Sequence, residues 1–308
     1  MSDYNLDLCF FCKSFGEDVA RLEILLRSID EHNIDQIPFL LSVPALDRSS
    51  FIQRFGSRVA DVLEDESLVD YTSCRKLSGW RDQQVVKLAF SESNIARNYI
   101  VIDSDCIFFR DFRRSDFLCS DGAPFLVVSK RRYRYTPANE FLRGIIEGKS
   151  NSPCPLNVDD VVFREGASLD YDFSLAWSKE HRRRKPEETL RHIPDMLGRI
   201  SMGDLGFLPP PIVWSSYVLE HLKRYLVDRN GATWSDLIML SPWEAAWYGE
   251  WLLRTRTIPV HAREPYFLHF STDDDIEDAR SRGYSRQRLK TLFTGVAMAQ
   301  RHQHIMEY

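Results

Sequence analysis

An α/β fold, in which a nucleotide-binding type of sheet is flanked by helices and followed by a helical, loop-rich half, is the architecture this chain predicts. Three observations carry that prediction. The first ~130 residues alternate short apolar runs with segments of helical periodicity, the pattern of a parallel sheet covered by helices. Beyond Phe125-Leu-Val-Val128 such runs become rare, and polar loops separate helical segments. Between the two lies Tyr99-Ile-Val-Ile-Asp103-Ser104-Asp105, a buried-type strand that ends in two carboxylates.

In chain order, Leu8 to Cys12 is the first expected strand, and Ala20 to Ile29 follows as a helix with Leu22, Leu25, Leu26 and Ile29 on one face. Pro38 to Val43 reads as the second strand, Arg48 to Leu63 as a helix and Leu68 to Tyr71 as a brief third strand. A helix from Asp82 to Phe90 leads into the fourth strand, Tyr99 to Ile102. Later, Val213 to Val227 and Ala245 to Leu253 have amphipathic helical spacing, and Tyr266 to Phe270 reads as a strand. Pro209-Pro210-Pro211 must be extended, since each proline disfavours a helical conformation in the residue before it. The expected division is residues 1–130 as a nucleotide-binding half, 131–272 as a second, acceptor-side half on the same core, and 273–308 as a C-terminal helical segment.

Composition narrows the function classes. The chain has 308 residues, 44% of them hydrophobic and 28% charged, with a formal net charge of −5. A mildly acidic balance argues against nucleic acid as a partner, and no run approaches the ~18 apolar residues of a membrane span. The opening Met-Ser-Asp-Tyr-Asn-Leu-Asp lacks the basic and apolar regions of a signal peptide, so a cytoplasmic location is expected. Of the six cysteines, Cys9, Cys12, Cys74, Cys106, Cys119 and Cys154, most lie beside apolar residues and are expected to be reduced. Cys9-Phe-Phe-Cys12 has the spacing of a metal or redox pair, yet a strand would point its two thiols to opposite faces.

Asp103 and Asp105 arrive at the carboxyl end of a strand, where open α/β sheets bind ligands. Two carboxylates so close need a cation or a shared proton unless the loop is simply hydrated. Oxygen ligands without a neighbouring cysteine or clustered histidine point to Mg²⁺ or Mn²⁺ rather than zinc. On the preceding helix, Gln83 and Lys87 are four residues apart and share a face, from which both could reach a nucleotide or its phosphates. A solvated helix face is the plainer alternative.

The set Gly79-Trp80-Arg-Asp-Gln83-Gln84-Val-Val-Lys87, Asp103-Ser104-Asp105, Pro209-Pro-Pro-Ile-Val-Trp214 and Trp243-Glu244-Ala-Ala-Trp-Tyr248-Gly249 resembles bacterial glycosyltransferases of the GT-A architecture, near an uncharacterised group associated with surface-polysaccharide genes. The resemblance spans roughly Leu8 to Phe270. It implies a nucleotide-sugar donor, most commonly a UDP-sugar, a saccharide or lipid-linked saccharide acceptor, and a divalent cation that neutralises the diphosphate. It further implies Asp105 as a direct metal ligand, with Asp103 on the ribose or on the metal through water. Ser104, Gln83, Gln84 and Lys87 fall on the donor side, and Lys13 and Asp18 near the base and ribose. His269 resembles a late third metal ligand that would favour manganese, although the Gly-x-x-Lys-Pro-Trp that follows it in some retaining relatives is replaced by Ser271-Thr-Asp-Asp-Asp275. A core histidine is the alternative.

Glu244 is the candidate base for an inverting transfer, although a carboxylate at a helix start is also favoured by the helix dipole. Trp214, Trp243 and Tyr248 would offer surface to the acceptor, or else belong to the core. Lys130-Arg-Arg-Tyr-Arg-Tyr135 reads as a loop over donor phosphates or a phosphorylated lipid-linked acceptor. His181 to Lys185 reads as a solvated loop, or as a peripheral contact with anionic lipid at the inner face of a membrane. Two rivals remain: a haloacid-dehalogenase type phosphohydrolase, whose Asp-x-Asp normally follows the first strand, and a non-catalytic sugar-binding protein on the same scaffold.

Overall fold

The computed structural model describes residues 5–129, 134–149, 156–201, 205–207 and 210–298. The expected features at 130–133, Ser150 to Pro155 with Cys154, Pro209 and the end of the basic C-terminal stretch (299–304) lie outside the described residues. The architecture is mixed α/β, with parallel and mixed sheets flanked by helices.

The first sheet grows from β1 (Leu6–Lys13), whose last six residues are all buried. Burial on both faces is why its sequence reads as a nearly continuous apolar run instead of an alternating one. Helix Val19–His32 leads to β2 (Phe39–Val43), and helix Ala45–Phe55 to β3 (Asp61–Glu64). The short Asp65–Leu68 helix and helix Trp80–Ala89 then lead to β4 (Ala96–Val101). The strand order is β3-β2-β1-β4 in parallel, closed by the antiparallel β9 (Ile212–Ser215). After β1 the chain builds outward on one side through β2 and β3, then returns to place β4 on the other side of β1. That reversal makes the carboxyl ends of β1 and β4 a topological switch point, the place where open α/β sheets hold ligands.

Two smaller sheets complete the molecule, involving β5 (Cys106–Phe108), β6 (Phe125–Ser129), β7 (Arg134–Tyr135) and β8 (Gly206–Phe207). Their later strands are β10 (His261–Arg263), β11 (Phe267–Phe270) and β12 (Gly295–Met298). One sheet runs β10-β6-β8 and the other β5-β12-β11-β7.

Several expectations are corrected. The helix expected over 48–63 stops at Phe55, and 61–64 is instead a strand beside β2, with Val62 buried opposite Leu41. The third strand expected at Leu68 to Tyr71 is the end of a short helix and a turn. Val213 and Trp214 begin no helix: as β9 they pair with Ile100 and Tyr99, and helix Ser216–Leu222 starts only afterwards. Here the hydrogen-bonding edge of β4 outweighs the helical spacing of the sequence. Strands are not rare after 130, and the 273–308 segment is not wholly helical. Helix Asp273–Ser281 is followed by β12, which lies between β5 and β11. The three sections proposed from sequence therefore share one hydrophobic core.

At Gly295 an added Cβ would run into the Ile107 carbonyl oxygen and the Phe267 ring. Gly295→Ala is thus expected to destabilise the protein by ~1–3 kcal/mol through overpacking, read as a lowered denaturation midpoint. A midpoint equal to wild type would show that β12 is not wedged between its two neighbours.

Candidate functional site

The carboxyl ends of β1 and β4 carry a dense set of charges, and each arrives by simple backbone geometry. Lys13 is the last residue of β1, and its ammonium is 3.0 Å from Asp65 Oδ2 and 2.6 Å from the Ser14 carbonyl. Asp65 in turn accepts a 2.6 Å hydrogen bond from the Ser42 hydroxyl of β2. Asp18, just before helix Val19–His32, pairs with Arg21 one turn on, and the nearby Ser104 hydroxyl favours its charged form.

Past β4, the Asp103–Asp105 turn is fixed by backbone bonds. The Ile102 amide donates to Phe11 of β1, the Cys106 amide to Asp103, and the Met298 amide of β12 to the Asp105 carbonyl. The Lys87 ammonium, on the inner face of helix Trp80–Ala89, lies 2.7 Å from Asp103 Oδ1 and 3.7 Å from Glu244 Oε1. The Lys87 side chain is only 2% exposed. Burial alone would depress its pKa, yet the two carboxylates outweigh that and keep it charged. Glu244 opens helix Glu244–Thr255 and is also buried, and desolvation raises its pKa despite the nearby ammonium.

Asp105 differs from its neighbours. Among the described residues its carboxylate makes no ion pair within 4.0 Å. Burial first, and the charge of Asp103 second, push it up to about 7, with Arg21 and Lys87 only partly offsetting this. His269, on β11, is buried and its pKa falls to about 4 from desolvation and the nearby Arg134, so at neutral pH the imidazole is uncharged. The register Cys106↔Ala297↔His269 places it two strands from β5, within electrostatic reach of Asp103. A carboxylate short of positive charge and a neutral imidazole suit a hard or borderline divalent cation. The donors of Asp103, Asp105 and His269 are nonetheless not drawn to within 4.8 Å of one another. Cys119, Asp121 and His261 are the described residues that are.

The structure thus gathers Asp18, Lys87, Asp103, Ser104, Asp105 and Glu244 at one edge, and corrects other expectations. Lys87 does not reach outward from a cleft edge, because its ammonium is consumed by two carboxylates. Lys13 is likewise held by Asp65 instead of presenting a free cation. Gln84 is buried, with its amide nitrogen 3.1 Å from the Trp80 carbonyl, while Gln83 is partly exposed. Trp214 and Tyr248 are core residues that stack on each other at 5.8 Å, so neither offers a surface to an acceptor. Only Trp243 of that trio keeps partial exposure. It meets Trp80, which is 44% exposed, edge to face at 5.8 Å, and its indole nitrogen donates to the Pro186 carbonyl. In the basic run at 181–185, His181 is anchored on the Met239 and Leu240 carbonyls, while Arg182, Arg183 and Lys185 are exposed. Cys9 and Cys12 are buried free thiols.

Arg21, Ser42 and Asp65 were not read from sequence. Arg21 had a signal, the spacing of three from Asp18. Asp65 was hidden because the strand it follows was read as helix.

Residues 6–149 match a protein family described as a family of unknown function (DUF6492). The matched part runs from β1 through β7 and carries Lys13, Asp18, Lys87, Asp103 and Asp105, while Glu244 and His269 lie beyond it. No curated protein matches the chain.

Replacing Lys87 by Met leaves Asp103 and Glu244 facing each other without their cation. The expected loss is about 2–3 kcal/mol, less than the ~3–5 of a fully buried broken pair, because Asp103 is 35% exposed and water screens it. Adding Asp103→Asn should return part of that loss in a double-mutant cycle followed by denaturant unfolding. A Lys87→Met protein as stable as wild type would remove the ammonium from its proposed structural role.

Proposed function

We propose that this chain is a metal-dependent glycosyltransferase with a GT-A-like donor sheet, transferring a sugar from a nucleotide-sugar, a UDP-sugar first, to a saccharide or lipid-linked saccharide acceptor. Surface-polysaccharide assembly is the setting this reading assigns. The observation that carries it is the position of the Asp103-Ser104-Asp105 turn at the switch point between β1 and β4. The phosphohydrolase alternative is disfavoured by the same fact, since the motif follows the fourth strand and not the first.

In this reading Asp105 holds the cation, with Asp103 on the donor ribose or on the ion through water, and His269 as a further donor. A bound Mn²⁺ or Mg²⁺ would neutralise the departing nucleoside diphosphate. Lys87 fixes the Asp103 carboxylate and keeps Glu244 ionisable beside it. Glu244 takes the proton of the attacking hydroxyl, and its raised pKa brings it nearer to neutrality, where a general base is most effective. A single carboxylate in that role assigns an inverting course. Trp80 and Trp243 provide the flat apolar surface that sugar faces prefer. No described helix is long and apolar enough to cross a membrane.

Calorimetric titration with UDP and GDP, with and without Mn²⁺, tests the donor site. Binding of one nucleotide is expected to need the metal and to weaken ~10-fold or more in Asp105→Ala, on the scale of losing one ligand interaction. Metal-independent binding, or binding untouched in Asp105→Ala, would defeat the assignment. Turnover of a generic phosphate ester in place of nucleotide binding would favour the phosphohydrolase. Glu244→Gln should retain nucleotide binding and lower sugar transfer by ~10²–10⁴-fold, the usual contribution of a general base. A normal transfer rate would remove Glu244 from that role.

A further inference from the structure

We propose that Cys119, Asp121 and His261 form a second metal site, selective for zinc-like ions over magnesium or manganese and separate from the Asp103–Asp105 edge. One nitrogen of the His261 ring, one Asp121 carboxylate oxygen and the Cys119 sulfur all lie within 4.8 Å of one another. A triangle no larger than that has a point about 2.8 Å or less from every corner, whereas zinc binds such donors at ~2.0–2.3 Å. Closing the site therefore needs a shift of roughly half an ångström in side chains that are all partly or well exposed.

The local backbone prearranges the donors. The Cys119 amide donates to the Ala123 carbonyl and the Gly122 amide to the Cys119 carbonyl, closing a tight turn in which Gly122 adopts φ +80°. The turn places Cys119 and Asp121 two residues apart on the same loop. Asp121 Oδ1 is occupied by the Ala123 amide at 3.0 Å, which leaves Oδ2 facing His261 Nε2 at 2.8 Å. Those two bonds set the orientation of the carboxylate. His261 comes from far along the chain, delivered by the parallel pairing of β10 with β6, in which it lies opposite Phe125. Its side chain is 35% exposed and that of Asp121 42%, leaving an entry path and room for water as a further ligand.

The donor chemistry decides the ion. A thiolate with an imidazole and a carboxylate suits Zn²⁺ or its spectroscopic substitute Co²⁺, while Mg²⁺ and Mn²⁺ bind thiolate sulfur poorly. The cysteine reaches that state by releasing a proton as the metal binds.

The test titrates the metal-free full chain with Co²⁺ and then Zn²⁺. A thiolate-to-cobalt charge-transfer band in the near ultraviolet is expected, displaced by Zn²⁺ and insensitive to excess Mg²⁺. Cys119→Ser should abolish the band, and His261→Ala should weaken metal binding ~10-fold or more. Asp105→Ala should leave the thiolate band unchanged, which separates this site from the sheet edge. These three substitutions lie at the partly exposed surface or in a turn, and retained unfolding midpoints would show that the variants fold. A wild-type protein that shows no band, or a band that survives in both Cys119→Ser and His261→Ala, would overturn the proposal.

Discussion

The buried ammonium of Lys87 is the constraint on which the sheet edge depends. Among the described residues it is the one cation within 4.0 Å of both Asp103 and Glu244, residues from elements far apart in sequence. Without it, Glu244 would be a buried carboxylate at a helix start with only backbone dipoles to stabilise it, and Asp103 would face both Glu244 and Asp105. Coulomb attraction at such short range in a poorly solvated place is large, and so is the desolvation it must offset. The balance is therefore sensitive to where the helix carrying Lys87 sits.

That placement comes from an aromatic chain through the core. The Tyr99 hydroxyl of β4 donates to the Lys87 backbone carbonyl at 3.0 Å, tying the same residue to the sheet by its main chain. Tyr99 packs edge to face on Phe90 at the helix end and on Trp214 of β9, and Trp214 stacks on Tyr248, one turn into the helix that Glu244 begins. The Tyr248 hydroxyl then accepts from the Ser215 amide, locking that helix to β9. Trp214 and Tyr248 thus serve the site without touching it, since they set the distance between the two helices that deliver Lys87 and Glu244. On the opposite flank, β12 holds the Asp105 carbonyl, so a strand from the end of the described chain completes a turn that begins at residue 103.

The sequence made β1, β2 and β4 readable because these strands are almost wholly buried on both faces. Continuous apolar runs such as Leu8 to Cys12 and Tyr99 to Ile102 leave little ambiguity, and the acidic pair after β4 stood out for the same reason. The failures share a cause. Asp61–Glu64 and Ile212–Ser215 are four residues long, too short for periodicity to separate strand from helix, and what decides them is a partner strand far away in the chain. β12 was missed likewise, since Gly295-Val-Ala-Met298 gains its identity only between β5 and β11. Side-chain pairing was harder still. Helical spacing put Gln83 and Lys87 on one face, but not that Lys87 faces inward to two carboxylates, one of them more than 150 residues away.

The same limit applies to the cysteines. Cys9-Phe-Phe-Cys12, discounted as a metal pair because a strand points its thiols apart, lies buried in β1 as expected, where both thiols act as small hydrophobes. Cys119 has no such spacing, and its partners arrive through a turn and through β10, a strand that local sequence does not announce. Hardness then separates the two edges of the molecule: oxygen donors around Asp105 favour ions that keep their water, while the Cys119 turn favours ions that bind sulfur. A thiolate site at the surface would outcompete Asp105 for any zinc present. The metal dependence proposed for the sheet edge is therefore to be tested with Mg²⁺ and Mn²⁺, added to protein whose proposed soft site is already filled or removed.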